Sequence, residues 1–225
     1  RDLKPANAMV RHDGTLKLKG TASVGSIQSG GPALADLDAD GTPEIIIGDA
    51  VLNSDLTLRW NASGRRGDNS QGPLSLVADI NMDGSPDIVA GPDVYHADGT
   101  LLWSASIGND GFPAIGNFDA DAFPEVALVA REKVYLLDHD GSIIWGPVEI
   151  PGNLSDGSGD LPENQNRGGP PAVADVDGDG EVEIGVAGAE QFVVFETDGS
   201  IKWESQISDF TSHVTGSSVF DFEGD

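Results

Sequence analysis

The chain has no cysteine, so neither a disulfide nor a thiolate centre contributes to it, and redox chemistry does not indicate its compartment. Basic residues are scarce: 12 Lys and Arg stand against 38 Asp and Glu, a net charge of −26. Such a surface repels nucleic acid and anionic lipid and attracts divalent cations. No apolar run approaches the roughly 20 residues of a membrane-spanning helix, no leader sequence is visible, and no long amphipathic helix is apparent. The ends, at Arg1 and at DFEGD, read as cut from something longer.

What the chain does have is turn chemistry. Its 225 residues, 38% of them hydrophobic, suit one domain with a core, and 30 glycines and 13 prolines point to many short strands. The stretch DLDADGTPE (36–44) recurs as DINMDGSPD (79–87), NFDADAFPE (117–125) and DVDGDGEVE (175–183), and a fifth copy begins at DFEGD (221–225). A second marker alternates with it: HADGTLLW (96–103), DHDGSIIW (138–145) and ETDGSIKW (196–203), with NSDLTLRW (53–60) as a version lacking the glycine.

A period of roughly 40 to 50 residues indicates a solenoid or propeller. Each unit reads as four strands; in the last they are PPAVAD, VEIGVAG, FVVFE and SIKWE. Runs such as IIIG and FVVF suit well-buried strands, and Asp-Gly predicts a hairpin in which both turn residues take positive φ. The expected fold is all-β: a β-propeller of four-stranded antiparallel blades, four complete, with partial blade segments at both termini. The blade units are 30–60, 72–103, 111–145 and 169–203, with partial blades at 8–18 and 215–225, within a single propeller spanning 1–225. A β-sandwich is the alternative, and the regular period with a recurrent tryptophan argues against it.

The pattern PALADLDADGTPEIIIG, a hairpin and then DGxxxW resembles the FG-GAP or VCBS repeats of integrin-like β-propellers, over roughly residues 30 to 225. The resemblance implies that each acidic loop joins the first two strands of a blade. It also implies Ca²⁺ held by side chains at loop positions 1, 3, 5 and 9 and by the backbone carbonyl at position 7. Calcium's demand for 6–8 oxygen ligands suits such alternating carboxylates. The opening resembles an EF-hand, but Ile47 stands where that loop needs its closing glutamate.

The implied ligands are Asp36, Asp38, Asp40, Thr42 and Glu44 in the first loop and Asp79, Asn81, Asp83, Ser85 and Asp87 in the second. The third offers Asn117, Asp119, Asp121, Phe123 and Glu125, and the fourth Asp175, Asp177, Asp179, Glu181 and Glu183. The third loop is expected to be the weakest, because it has Asn117 for an aspartate and Ala122 for the turn glycine. The fifth copy supplies Asp221, Glu223 and Asp225 but ends before position 9.

Several stretches point elsewhere. RDLKPANAMV is similar to a kinase catalytic loop, with Asp2 as base, Lys4 on phosphate and Asn7 on metal, but KLKGTASVGS follows where a DFG triplet is needed. HDGTLKL aligns instead with HADGTLLW. RGD at 66–68 lies in the polar stretch NASGRRGDNSQG, expected to be an exposed loop, and reads as a chance match. NAS (61–63) and NLS (153–155) fit the glycosylation pattern. His12, His96, His139 and His213 form no spaced set and read as solvated turn residues; the tryptophans read as blade packing. Residues 146–169 read as a surface insertion.

The functional expectation is a non-catalytic, calcium-stabilised propeller that binds a protein or glycan ligand in recognition or adhesion. It would work outside the cell, at the cell surface or in the periplasm, where calcium is plentiful, with no nucleic-acid partner and no direct membrane insertion. The alternatives are part of a propeller-type polysaccharide lyase, or the sensor domain of a kinase-linked membrane protein. No acid/base constellation stands apart from the cation loops.

Overall fold

An acidic turn, two apolar strands and an Asp-Gly hairpin recur four times, and each recurrence folds as one sheet. The computed structural model describes residues 22–25, 30–152, 168–209 and 214–219, and the backbone of 8–10 and 16–19. Strands β1 (Ala8–Val10) and β2 (Leu16–Lys19) pair antiparallel. The first four-stranded sheet is β3 (Ala33–Ala35), β4 (Glu44–Ile47), β5 (Ala50–Leu52) and β6 (Leu58–Asn61). The second is β7 (Leu76–Ala78), β8 (Asp87–Ala90), β9 (Asp93–His96) and β10 (Leu101–Ser104). The third is β11 (Phe112–Gly116), β12 (Glu125–Ala130), β13 (Lys133–Leu137) and β14 (Ile143–Glu149). The fourth is β15 (Ala172–Ala174), β16 (Glu183–Ala187), β17 (Gln191–Phe195) and β18 (Ile201–Gln206). All pairings within these sheets are antiparallel between sequence neighbours, and no helix occurs among the described residues. The four-strand pattern of each unit holds, but residues 214–219 form no strand. Strand β14 runs on to Glu149 and Ile150 is buried in the core, so 146–150 is not part of a surface insertion. The fifth loop copy, the segments around His12 and His213, the sequon at 153–155 and most of 146–169 lie outside the described residues.

Why the second strands are apolar throughout is explained by their two neighbours. In the first sheet Ile46 and Val51 pack forward with Ile88 of the second, while Ile45, Ile47 and Leu52 pack backward with Val24. In the third sheet Val126 and Leu128 meet Ile80, Val89 and Val94, whereas Ala127 and Val129 meet Ile184 and Val186. Alternate side chains of one strand point to opposite faces, so a sheet sandwiched between two others needs no polar face. The first strands of consecutive sheets, β3, β7, β11 and β15, lie alongside one another, and Gly31 forms a parallel bridge with Leu74.

The tryptophans join neighbouring sheets. Trp60, Trp103 and Trp145 donate from Nε1 to the carbonyls of Ala97, His139 and Thr197, at 3.0, 2.7 and 2.7 Å. Each acceptor begins the Asp-Gly turn of the next sheet. The turn glycine lies under the indole: a Cβ at Gly141 would stand 2.7 Å from the Trp103 ring. Glycine is thus needed twice over, for contact and for its φ of +82°. Trp203, in the fourth sheet, is 44% exposed beside Phe192.

The hairpins form where expected, but by a different turn. Gly99, Gly141 and Gly199 have positive φ and their aspartates do not. Gly99 N–H bonds to His96 O, and the register shifts beside the turn, which describes a type I turn closed by a glycine bulge. The aspartate instead accepts the N–H two residues on, as Asp98 does from Thr100 at 2.9 Å. In the first sheet Leu56 takes the glycine's place at φ +66°, held there by burial against Ile45 and Leu52.

Candidate metal centres

Each acidic loop joins the first strand of a sheet to the second, and its ninth residue is the first residue of that second strand: Glu44, Asp87, Glu125 and Glu183. This placement buries the closing carboxylate, with 4%, 0%, 0% and 1% exposure respectively. One oxygen of each accepts the backbone N–H at loop position 2. Leu37, Ile80, Phe118 and Val176 donate at 2.9, 3.2, 2.6 and 2.8 Å.

The fate of the other oxygen differs from loop to loop. Glu44 Oε1 lies 3.3 Å from Arg59 Nη1, and Asp87 Oδ1 lies 3.1 Å from His96 Nδ1. Glu183 Oε1 accepts no hydrogen bond but has Lys202 Nζ at 3.6 Å, an ion pair without hydrogen-bond geometry. Glu125 Oε1 is buried with no hydrogen-bond partner. Burial pushes the Glu125 carboxyl above its ordinary range despite the Phe118 N–H, and burial likewise raises Asp87.

Positions 1 and 5 shape the turn. Asp36 Oδ1 and Oδ2 accept from Asp40 and Gly41 N–H at 3.1 and 2.8 Å, and Asp79 holds Asp83 and Gly84 in the same way. Asp175 accepts from Gly178 and Gly180; burial opposes the effect, but these backbone donors hold its carboxyl below the usual range. The position-5 aspartates, Asp40, Asp83, Asp121 and Asp179, accept the N–H of Thr42, Ser85, Phe123 and Glu181. The Glu181 side chain reaches outward to Thr197 Oγ1 at 3.3 Å.

The third loop is built differently. Ala122 is not in the left-handed region, so the strain expected of it there does not arise. Asn117 donates to Asp121 O instead of cradling two N–H groups. Phe123 stacks on His139 with ring centroids 4.1 Å apart. His96 and His139 are thus engaged with Asp87, Asp138 and Phe123 rather than simply solvated.

Carboxylate oxygens converge within 4.8 Å in three sets: Asp36, Asp38 and Asp40; Asp119, Asp121 and Glu125; and Asp175, Asp177 and Glu183. In the second loop Asn81 replaces an acid, and its Nδ2 bonds to Asp83 Oδ2 at 3.1 Å. The donors are hard oxygens, and the set of Asp119, Asp121 and Glu125 contains a buried, unpartnered one, so these residues could hold a hard metal ion.

The RGD tripeptide is not displayed. Gly67 and Asn69 are buried, and Asn69 Nδ2 bonds to the carbonyls of Arg131 and Gly168, tying this segment to the third and fourth sheets. Arg65 engages Asp93 through Nε and Nη2 at 2.9 and 2.5 Å, and also bonds to Ser104 Oγ and the carbonyls of Ala105 and Ile107. Arg66 Nε pairs with Asp49 at 3.1 Å. Asp49 and Asp93 lie at the turns between second and third strands, the sheet ends opposite the acidic loops. Arg59, Lys202 and this Arg65–Arg66 clamp are the residues that sequence reasoning missed; only the first two carry a signal, because each directly precedes a repeat tryptophan.

No protein-family model matches the chain, and no curated protein does. Solved structures do match. One is the V. cholerae biofilm matrix protein Bap1, at 25% identity and a TM-score of 0.55 over 78% of this chain. Others are the exotype rhamnogalacturonan lyase YesX, at 20% and 0.53 over 77%, and the rhamnogalacturonan lyase YesW, at 18% and 0.53 over 84%. The chain spans only 28%, 31% and 35% of those proteins. By its fold, then, the chain is similar to β-rich portions of a biofilm matrix protein and of rhamnogalacturonan lyases.

Proposed function

We propose that the four sheets are blades of a β-propeller of the FG-GAP or VCBS type, stabilised by calcium in its acidic loops. It serves recognition or adhesion outside the cell, with a protein or glycan as ligand. The observation that carries the calcium reading is Glu125: a fully buried carboxylate with one oxygen unpartnered, converging with Asp119 and Asp121. An unpaired buried carboxylate oxygen is costly unless a cation meets it. Face-to-face packing of consecutive sheets, with their first strands side by side, supports the propeller, and the exposed Trp203 face suits a further blade. Likeness to a matrix protein supports an adhesive, extracellular role. No helix among the described residues is long and apolar enough to cross a membrane.

The lyase neighbours support the fold alone. A lyase would need a free basic group beside a bound cation, whereas Arg59 and Lys202 are ion-paired with loop carboxylates. Melting the chain in calcium, magnesium and chelator tests the reading. Calcium alone should raise the melting temperature, each site adding about 1.4 kcal/mol at ten times its Kd. An equal melting temperature in calcium and chelator would overturn the metal assignment. Release of unsaturated sugar from rhamnogalacturonan would overturn the non-catalytic one.

A further inference from the structure

The loops differ in charge, and the difference is matched elsewhere in each sheet. The first and fourth loops have carboxylates at all of positions 1, 3, 5 and 9, whereas Asn81 and Asn117 replace one in the second and third. The residue before the repeat tryptophan follows the same division: Arg59 and Lys202 in the first and fourth sheets, Leu102 and Ile144 in the second and third.

The two cations reach the same two loop positions. Arg59 Nη1 lies 2.9 Å from Asp38 Oδ2 and 3.3 Å from Glu44 Oε1, at positions 3 and 9. Lys202 Nζ lies 2.5 Å from Asp177 Oδ2 and 3.6 Å from Glu183 Oε1, again positions 3 and 9, and also 2.8 Å from Glu196 Oε1. Both side chains are largely covered, at 25% and 17% exposure, and each faces a closing glutamate that is almost wholly buried. Counting side chains at positions 1, 3, 5 and 9, every loop is thereby left with an excess of three negative charges.

We propose that Arg59 and Lys202 are tethered counter-ions of the first and fourth loops. Each holds its loop's carboxylates together without a divalent cation, and each weakens that cation's binding by sharing two of its ligands. The second and third loops carry one acid fewer and have Leu102 and Ile144 in place of the arginine or lysine; the second has His96 against Asp87 instead. The proposal rests on the reading of the loops as calcium sites and adds a division of labour among them: two loops are partly self-neutralised and two depend on the metal.

Lys202→Leu reproduces the aliphatic residue of the second sheet. In calorimetric titration with calcium chloride, one site should tighten about tenfold, the factor to which about 1.4 kcal/mol of relieved competition corresponds. The variant should also melt lower than the wild type in chelator and gain more on adding calcium. Ile144→Lys is the converse, at an exposed position, and should weaken calcium binding at one site; it tests the idea even if Lys202→Leu does not fold.

An equal fall of the Lys202→Leu melting temperature in chelator and in calcium, with unchanged affinities, would make Lys202 an ordinary ion pair and overturn the proposal. Unchanged binding by Ile144→Lys would do the same. A wild-type chain indifferent to calcium would overturn the metal reading and this proposal together. A calcium-responsive wild type with unresponsive variants would overturn only the latter.

Discussion

Replacing Arg65 by alanine should destabilise the chain by about 3 kcal/mol, the lower end for removing one partner of a buried pair, since the guanidinium is itself 24% exposed. Asp93 would be left buried, losing its guanidinium partner, and Ala105 and Ile107 would each lose a donor. For a domain of this length the melting temperature should fall by about 6–12 °C. The loss has a pH signature. Burial acts to raise the Asp93 carboxyl, but its bonds from Arg65 and Ser104 outweigh burial and hold it below the usual range. A carboxyl held low in the folded state stabilises above its unfolded pKa, and that contribution is lost as pH falls through the folded value. The stability gap between wild type and Arg65→Ala should therefore be full at neutral pH and shrink below about pH 4. Urea unfolding at several pH values measures it; a gap independent of pH would show that Arg65 acts by packing alone.

The second large effect lies at the sheet junctions. Trp103→Ala should cost about 3–5 kcal/mol, the range for emptying a buried aromatic site. The indole is 9% exposed, packs with Val89, Val94, Val126 and Leu128, and its Nε1 satisfies His139 O. Trp203→Ala, the corresponding change in the fourth sheet, should cost less than about 1 kcal/mol in this chain, as exposed side chains usually do. Denaturant midpoints of the two variants give the comparison. Equal losses would mean that the Trp203 face is covered, against the exposure described for it.

The four sheets could be read from the repeat because the signals are local. Turn residues recur beside apolar runs, and a loop that ends at its ninth residue hands that residue to a strand. The hairpin turn was misjudged because Asp-Gly suits more than one turn, and the choice depends on the register of the flanking strands. The polar stretch at 61–72 differs from the exposed loop expected of it for a related reason. Arg65, Arg66 and Asn69 look solvated by composition, yet each finds its partner on a distant segment: Asp93, Asp49, and the carbonyls of Arg131 and Gly168.

The sequence by itself determined the strand order, the four acidic loops and which carboxylates could be ligands, because periodicity and turn chemistry act over a few residues. Only the tertiary structure decided which carboxylates converge, that Glu125 is buried with an oxygen unpartnered, and that Arg59 and Lys202 reach into their loops. Those outcomes depend on how a fourth strand lies across the sheet from the loop between the first and second. That distance in space is set by packing and strand register, which no short stretch of sequence specifies.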